Sequence, residues 1–208
     1  MSTRVKICGI TNLEDAQAAV AAGADALGFV FAEEAKKRGR YIAPDDAFEI
    51  IGQLPPFVTT VAVCVNARLD ELARYLAYVD LVQFHGEEEP ESIPLNHVAI
   101  KAFRTSPELT LEQMQRYDTR AWLLDAHVPG ERGGTGATSD WEFAKAVVAL
   151  RRPVVLAGGL TPENVGDAVR AVRPYAVDVS GGVEAAPGKK DHERIRQFIE
   201  HVRQASLS

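Results

Sequence analysis

Cys8 and Asp125 are the residues best placed for proton-transfer chemistry, because each closes a short apolar run. A free thiol has a pKa of about 8.5, and its thiolate can act as a base or a nucleophile. Asp125 follows Trp-Leu-Leu, where a carboxyl should resist ionisation and can act as a general acid. The structural alternatives are a small buried hydrophobe for Cys8, which is our expectation for Cys64, and a cap or ion pair for Asp125. We expect His85 to be a hydrogen-bonded structural histidine rather than a catalytic one.

Glycine pairs close two further apolar runs, and a Gly-Gly-Thr-Gly sequence follows Asp125 at some distance. Glycine lets the backbone approach a ligand closely, so that main-chain N–H groups can donate to phosphate oxygens. One such loop is as well explained by a simple turn, but three together predict an anion site and a phosphorylated substrate. The residues assigned to this site are Gly134, Gly136, Gly158, Gly159, Ser180, Gly181 and Gly182.

The elements that must position these residues are eight short apolar runs, each followed by a helical pattern or a loop. Near-continuous apolar runs are typical of parallel strands covered by helices. Eight units of about 26 residues each are close to the lower limit for a (β/α)8 barrel, with its active site at the carboxyl ends of the strands. A doubly wound open sheet is the alternative, but its glycine fingerprint after the first strand is missing. The predicted strands are Val5–Gly9, Ala26–Phe31, Thr59–Asn66, Leu81–Gly86, Val98–Arg104, Ala121–Ala126, Pro153–Gly159 and Ala176–Gly182.

Helical periodicity supports the same architecture. Apolar residues at i, i+3, i+4 and i+7 predict one helix with Leu69, Leu72, Ala73 and Leu76 on its buried face. The same spacing predicts a helix near the carboxyl terminus. Two prolines in the segment 87–96 predict a short or irregular helix there.

Composition restricts the class of protein. The 208 residues carry a net charge of −6, which argues against nucleic acid as a partner. No apolar run reaches the ~20 residues of a membrane helix, and the start of the chain has no signal-peptide layout. Two cysteines without metal-ligand spacing fit a reducing cytoplasm. We therefore expect one cytoplasmic barrel domain over residues 1–208 that binds no membrane.

Strand parity gives one specific structural prediction. Lys6 and Cys8 share a face of the first strand, and Asp178 and Ser180 share a face of the eighth. The first and eighth strands become neighbours when a barrel closes. Because an unpaired lysine inside a barrel is costly, we predict that Lys6 pairs with Asp178.

Several motifs together resemble the phosphoribosylanthranilate isomerase family, in order and from residue 4 to about residue 203. The first is Val-Lys-Ile-Cys-Gly-Ile-Thr at residues 5–11, and the second is Gln-Phe-His-Gly-Glu at residues 83–87. Further matches are Leu-Asp at 124–125, Gly-Gly-Thr-Gly at 133–136 and Ala-Gly-Gly-Leu at 157–160. The last are Val-Asp-Val-Ser-Gly-Gly-Val-Glu at 177–184 and Pro-Gly-Lys-Lys-Asp at 187–191.

The resemblance implies roles for individual residues. Cys8 would be the general base and Asp125 the general acid in an Amadori rearrangement of N-(5-phosphoribosyl)anthranilate, a reaction of tryptophan biosynthesis. No metal or organic cofactor would be needed. The family also holds the anthranilate carboxylate with an arginine on the loop after the second strand. Arg40 is the best match, but the basic loop makes Arg38 an alternative, and Asp178 is expected among the substrate-binding residues.

Two other functions remain open at this point. A phosphosugar isomerase of histidine biosynthesis performs the same chemistry on the same barrel, but it resembles a two-carboxylate design, and Cys8 argues against it. A non-catalytic phosphate-binding barrel would not need Cys8, Asp125 and the glycine loops together. The protein is expected to be a monomer or a homodimer.

Overall fold

A computed structural model describes residues 2–94, 96–125 and 138–207. Eight parallel strands pair in chain order, and β1 also pairs with β8, so the sheet is a closed barrel. This confirms the (β/α)8 prediction and excludes an open doubly wound sheet. The strands are β1 Arg4–Cys8, β2 Ala26–Val30, β3 Thr59–Cys64, β4 Leu81–Phe84, β5 Ala99–Arg104, β6 Ala121–Asp125, β7 Val154–Ala157 and β8 Ala176–Val179.

Seven α-helices lie among the described residues. Four hydrophobic residues of the last helix, at the predicted spacing from Ile195 to Val202, are buried as expected. The predicted face of α3 is confirmed at Leu72 but wrong in part, because Leu69 and Ala73 are exposed and the helix also buries Tyr75. The helices are α1 Leu13–Ala22, α2 Pro44–Ile51, α3 Leu69–Tyr75, α4 Leu111–Gln115, α5 Thr138–Val148, α6 Val165–Val172 and α7 His192–Ser206.

Alternation along each strand separates two apolar layers. Val5 and Ile7 of β1 belong to the large cluster between the barrel and its helices. A smaller cluster, which includes Val61, Leu123 and Val155, fills the barrel interior. On β1 the opposite face therefore directs Lys6 and Cys8 inward.

The segment between β4 and β5 is irregular, as its prolines predict. In its described residues it contains only short 3-10 turns, at Pro90–Ser92 and Asn96–Val98. Glu88 and Lys101 form a buried ion pair beneath this segment, with 2.7 Å between Oε2 and Nζ. The pair supplies packing and hydrogen bonds where other units of the barrel have a helix.

An antiparallel hairpin follows β8, formed by β9 Glu184–Ala186 and β10 Lys189–Lys190. Its turn packs tightly against the loop after β2. A Cβ atom at Gly188 would lie 1.8 Å from the carbonyl oxygen of Gly39, and the left-handed φ of +76° at Gly188 also favours glycine. The hairpin therefore fixes the end of the β2 loop, next to Arg40, above the mouth of the barrel.

Across the described part of the chain, no helix has both the length and the apolar character that crossing a bilayer requires.

Candidate active site

The interior of β1 and β8 holds a buried ion pair directly below Cys8. Lys6 Nζ lies 2.9 Å from Asp178 Oδ1, and both side chains are at least nine-tenths buried. This confirms the predicted pair. Gly28 on β2 makes room for it, because a Cβ at that position would lie 2.8 Å from Cys8 Sγ and 3.1 Å from Lys6 Nζ. The thiol and the ammonium group are therefore neighbours inside the barrel mouth.

The surroundings of Cys8 shift the pKa of its thiol in opposite directions. Burial is the largest effect and raises the pKa of Cys8, and the nearby Asp178 carboxylate raises it further. The ammonium groups of Lys6 and Lys190 oppose this, and Lys6 also reaches hydrogen-bonding distance of the sulfur. The net pKa lies above the ordinary value. Proton removal from Cys8 is thus assisted by two cations but favoured only as the pH rises.

Asp125 lies at the end of β6 and is partly exposed rather than enclosed by the apolar residues before it. Its side chain is 29 % exposed, and its Oδ2 lies 3.4 Å from Nε2 of His85. Gln83 Nε2 lies 3.0 Å from Nδ1 of His85, so the imidazole ring connects the amide of Gln83 with the carboxyl group of Asp125. The strand ends of β4 and β6 therefore form a chain of three polar groups.

Unsatisfied donors lie at the ends of β7 and β8. The main-chain N–H groups of Gly158, Gly159, Gly181 and Gly182 donate to no acceptor within residues 2–94, 96–125 and 138–207. A Cβ at Gly182 would lie 1.9 Å from the carbonyl oxygen of Leu160, so the two loops are in close contact. Clustered N–H donors of this kind suit a phosphate group. Gly134 and Gly136, assigned to the same site, lie outside the described residues.

Ser180 and Gln83 each carry a buried polar atom without an internal partner. Neither Ser180 Oγ nor Gln83 Oε1 has a hydrogen-bond partner in the described structure. Because such atoms are costly when buried, each is a candidate contact for a bound molecule.

Arg40 and Arg38 differ sharply in position. Arg40 lies over the ends of β1 and β8, where its guanidinium would be 2.6 Å from a Cβ at Gly181. Its side chain is 24 % exposed, whereas Arg38 is exposed on a 3-10 turn. The geometry therefore favours Arg40 over Arg38 as a ligand-binding group at the mouth.

Glu184 and Lys190 of the hairpin lie beneath Arg40. Glu184 accepts hydrogen bonds from Nε and Nη2 of Arg40, both at 2.9 Å. Lys190 Nζ donates to Glu184 Oε1 and to the carbonyl oxygens of Cys8 and Ser180. Burial alone would raise the pKa of Glu184, but the Arg40 hydrogen bond and the Lys190 charge outweigh it and the pKa is lowered.

Sequence reasoning gave no role to Gly28, Glu184 or Lys190. Glycine inside an apolar strand often marks a close approach by another group, and this signal was present at Gly28. Glu184 and Lys190 belong to motifs that carry the family resemblance, but their pairing depends on how the hairpin folds back over β1.

The order of strands around the ring arranges these groups. Following the pairing from β6 through β7 and β8 to β1, Asp125 comes first, then the glycine ends, then Cys8. An anion bound at the glycines would thus lie between a carboxyl group and a thiol, with Arg40 above. Among the described residues, no group of three or more His, Cys, Asp or Glu side chains is arranged to hold a metal ion.

The chain is similar to known proteins over nearly its whole length. The family model described as N-(5'phosphoribosyl)anthranilate (PRA) isomerase matches residues 5–201. The N-(5'-phosphoribosyl)anthranilate isomerase of Geobacter metallireducens is 52 % identical over 204 residues, covering 96 % of this chain and 98 % of that protein.

Solved structures are similar to this chain over nearly the same length. Phosphoribosyl anthranilate isomerase from Thermotoga maritima superposes with a TM-score of 0.83 at 44 % identity, covering 97 % of this chain and 99 % of that one. A second isomerase structure, in complex with reduced 1-(o-carboxyphenylamino)-1-deoxyribulose 5-phosphate, has a TM-score of 0.77, 42 % identity and the same coverage. This chain therefore belongs to the N-(5'-phosphoribosyl)anthranilate isomerase family.

Proposed function

We propose that this protein converts N-(5-phospho-β-D-ribosyl)anthranilate to 1-(2-carboxyphenylamino)-1-deoxy-D-ribulose 5-phosphate by general acid/base catalysis. The observation that carries the proposal is the order of groups around the barrel mouth. Asp125 and Cys8 flank the glycine ends of β7 and β8, so a phosphosugar held there has an acid on one side and a base on the other. The matching relatives are isomerases that act on this substrate by name.

Asp125 is the proposed acid. The ribose ring opens when its ring oxygen takes a proton while the anilino nitrogen supplies electrons to C1′, which gives a Schiff base. Asp125 donates that proton from the end of β6. His85, whose Nε2 faces the carboxyl at 3.4 Å, keeps Asp125 oriented toward the mouth.

Cys8 is the proposed base. The Schiff base acidifies the hydrogen on C2′, and the Cys8 thiolate removes it to give an enolamine, which tautomerises to the product ketone. Lys6 and Lys190 stabilise the thiolate electrostatically. Because burial opposes ionisation, the reactive thiolate is a minor species near neutral pH and its population grows as the pH rises.

Binding uses both ends of the substrate. The unpaired N–H groups at the ends of β7 and β8 are the proposed phosphate donors, with Ser180 Oγ donating to a nearby substrate oxygen. Gly134 and Gly136 are proposed to add donors from the loop after β6. Arg40 pairs with the anthranilate carboxylate, and Asp178 contributes by holding Lys6 beside the thiol.

Fluorescence tests the activity directly. Phosphoribosylanthranilate, generated in place from anthranilate and phosphoribosyl pyrophosphate by an added phosphoribosyltransferase with release of pyrophosphate, should lose its fluorescence rapidly when the protein is added. Loss at the rate of the protein-free control would reject the proposal, and turnover of the histidine-pathway aldose substrate instead would transfer the protein to that alternative.

The oligomeric state and the cellular location are also proposed. A solved relative is described as a monomeric form of the dimeric Thermotoga maritima enzyme. We propose that this chain is a monomer or a homodimer that works in the cytoplasm. Light scattering after size-exclusion chromatography measures the oligomeric state.

A further inference from the structure

Glu184 occupies one specific edge of the Arg40 guanidinium. A guanidinium carries five N–H donors in a plane, and a carboxylate can bind it either along the Nε/Nη2 edge or at the terminal Nη1/Nη2 edge. Glu184 takes the first edge, with two hydrogen bonds of 2.9 Å. The other three N–H groups of Arg40 donate to no residue in the described ranges. The terminal edge thus remains available for a second carboxylate.

Glu184 is itself held on two sides. Its side chain is only 6 % exposed, and Lys190, which is fully buried, donates to it at 2.9 Å. The same ammonium group donates to the carbonyl oxygens of Cys8, at 2.7 Å, and of Ser180, at 3.3 Å. Its three N–H donors therefore have three acceptors, and the position of Glu184 is fixed relative to the ends of β1 and β8.

The charges of this cluster favour anion binding. Glu184 alone would neutralise Arg40 and weaken its attraction for a second anion. Lys190 restores one net positive charge to the cluster of Arg40, Glu184 and Lys190. Because the cluster is largely buried, that charge is poorly screened by solvent.

We propose that Glu184 is a positioning residue that selects for the substrate carboxylate, because it holds Arg40 by one edge and presents the terminal edge to the ligand. Lys190 fixes Glu184 and preserves the positive charge of the cluster. This inference depends on the proposed function, since it assigns the anthranilate carboxylate to the terminal edge. Glu184 acts through Arg40 and does not itself touch the substrate.

A comparison of two ligands tests this role. The first is reduced 1-(o-carboxyphenylamino)-1-deoxyribulose 5-phosphate, and the second is the same molecule without its carboxyl group. In the unmodified protein, deletion of the carboxyl should weaken inhibition roughly 10- to 100-fold, as expected for charge-assisted hydrogen bonds. In Glu184→Gln the same deletion should weaken inhibition less than about 3-fold. Arg40→Ala should behave like Glu184→Gln.

Controls separate positioning from general damage. Inhibition by inorganic phosphate and kcat at saturating substrate should stay within about 3-fold of the unmodified values in Glu184→Gln, while KM rises. Glu33→Gln removes an exposed carboxylate from the same loop as Arg40 and should leave both ligands unaffected. Glu184→Asp, which keeps the charge but is one methylene shorter, is the second variant and should also lose the discrimination.

The outcomes distinguish this inference from the proposed function. If the unmodified protein shows no turnover, or no dependence on the ligand carboxyl, the proposed function fails. If the unmodified protein discriminates and both Glu184 variants retain the full discrimination, the positioning role is overturned. Equal losses for both ligands and for inorganic phosphate would show a purely structural role and would overturn it as well.

Discussion

Two buried lysine–glutamate pairs lie on opposite sides of the barrel and have similar contacts but different roles. Lys190 binds Glu184 and the strand-end carbonyls of Cys8 and Ser180. Lys101 binds Glu88 and the carbonyl oxygen of Gly86 at the end of β4. In both places a buried ammonium group connects a carboxylate from outside the barrel strands to the end of a barrel strand.

The carboxylates differ in what else they bind. Glu88 accepts further hydrogen bonds from the main-chain N–H groups of Asn66 and Gly86, so all its partners belong to the framework. Glu184 instead binds Arg40, a side chain with an unoccupied hydrogen-bonding edge. A buried ion pair is therefore structural when its partners are all internal, and it bears on ligand binding when one partner also faces the mouth.

Removal of Lys101 should give the largest change in stability. Lys101→Met leaves the buried Glu88 carboxylate without a cation and should lower the free energy of unfolding by ~3–5 kcal/mol. Lys190→Met leaves Glu184 with Arg40 as its remaining cation and should therefore lower the free energy of unfolding by less. Urea unfolding measures this. Only Lys190→Met should also lower kcat/KM under conditions in which the variant remains folded. Equal catalytic losses in the two folded variants would contradict the distinction between the pairs.

Arg40 and Arg38 offer the next contrast. Arg40→Ala removes the proposed partner of the substrate carboxylate, so KM should rise roughly 10- to 100-fold, the equivalent of charge-assisted hydrogen bonds. Arg38→Ala, on the exposed turn, should be nearly silent. Steady-state kinetics decide between them, and the reverse pattern would transfer the carboxylate to Arg38.

The pH dependence of kcat/KM should report the Cys8 thiol. Burial places its pKa above the ordinary value, and a base must be deprotonated to act, so the thiolate fraction should rise by up to about tenfold per unit between pH 7 and 9. The value of kcat/KM should rise with it as long as the general acid Asp125 keeps its proton. Burial likewise raises the pKa of Cys64, to about 12, but that thiol faces the outer core, so Cys64→Ala should keep the same profile. The same rise with pH in Cys8→Ser would contradict the assignment of the base, whereas a flat profile would mean that loss of the proton from Asp125 offsets the gain in thiolate.

The smallest effect concerns acid stability. Burial alone would raise the pKa of Glu88, but hydrogen bonds from Lys101 and the Asn66 backbone lower it below the ordinary value. A carboxylate whose folded pKa is depressed stabilises the fold above its unfolded pKa of about 4.3 and loses that contribution as the pH falls through the folded pKa. Glu88→Gln should therefore show a shallower loss of stability between pH 5 and 3, by at most about 1.4 kcal/mol per pH unit. If the urea midpoint of Glu88→Gln falls as steeply with decreasing pH as that of the unmodified protein, this prediction is wrong.

The barrel was predictable because its signal is repeated along the chain. All eight strands lie within or next to the predicted runs, since a parallel strand buried on both faces must be apolar throughout. Lys6 and Asp178 were predictable as a pair because strand parity and barrel closure together bring them to one register, which the structure confirms. The buried face of α3 was not fully predictable, because Leu69 fits the helical period but is exposed in the first turn of the helix.

The cluster around Arg40 lay beyond sequence reasoning. The basic loop offers two arginines at nearly equivalent positions, and only the contact between Gly39 and the hairpin turn at Gly188 places Arg40 over the mouth. The Glu88–Lys101 pair was hidden for a similar reason, since an irregular segment has no period from which the direction of a side chain follows. Long-range packing of loops determines both clusters.

The most direct test replaces each of the two proton-transfer residues and measures turnover, ligand affinity and thermal stability of the same purified variants. Cys8→Ser and Asp125→Asn keep the volumes of the side chains but remove the titrating thiol and the acid proton. We predict that kcat falls by at least ~10²–10⁴-fold in each, while the affinity for the reduced product analogue stays near normal. Near-wild-type turnover in either folded variant would contradict the role of that residue, and lost turnover together with lost thermal stability would favour a packing role instead.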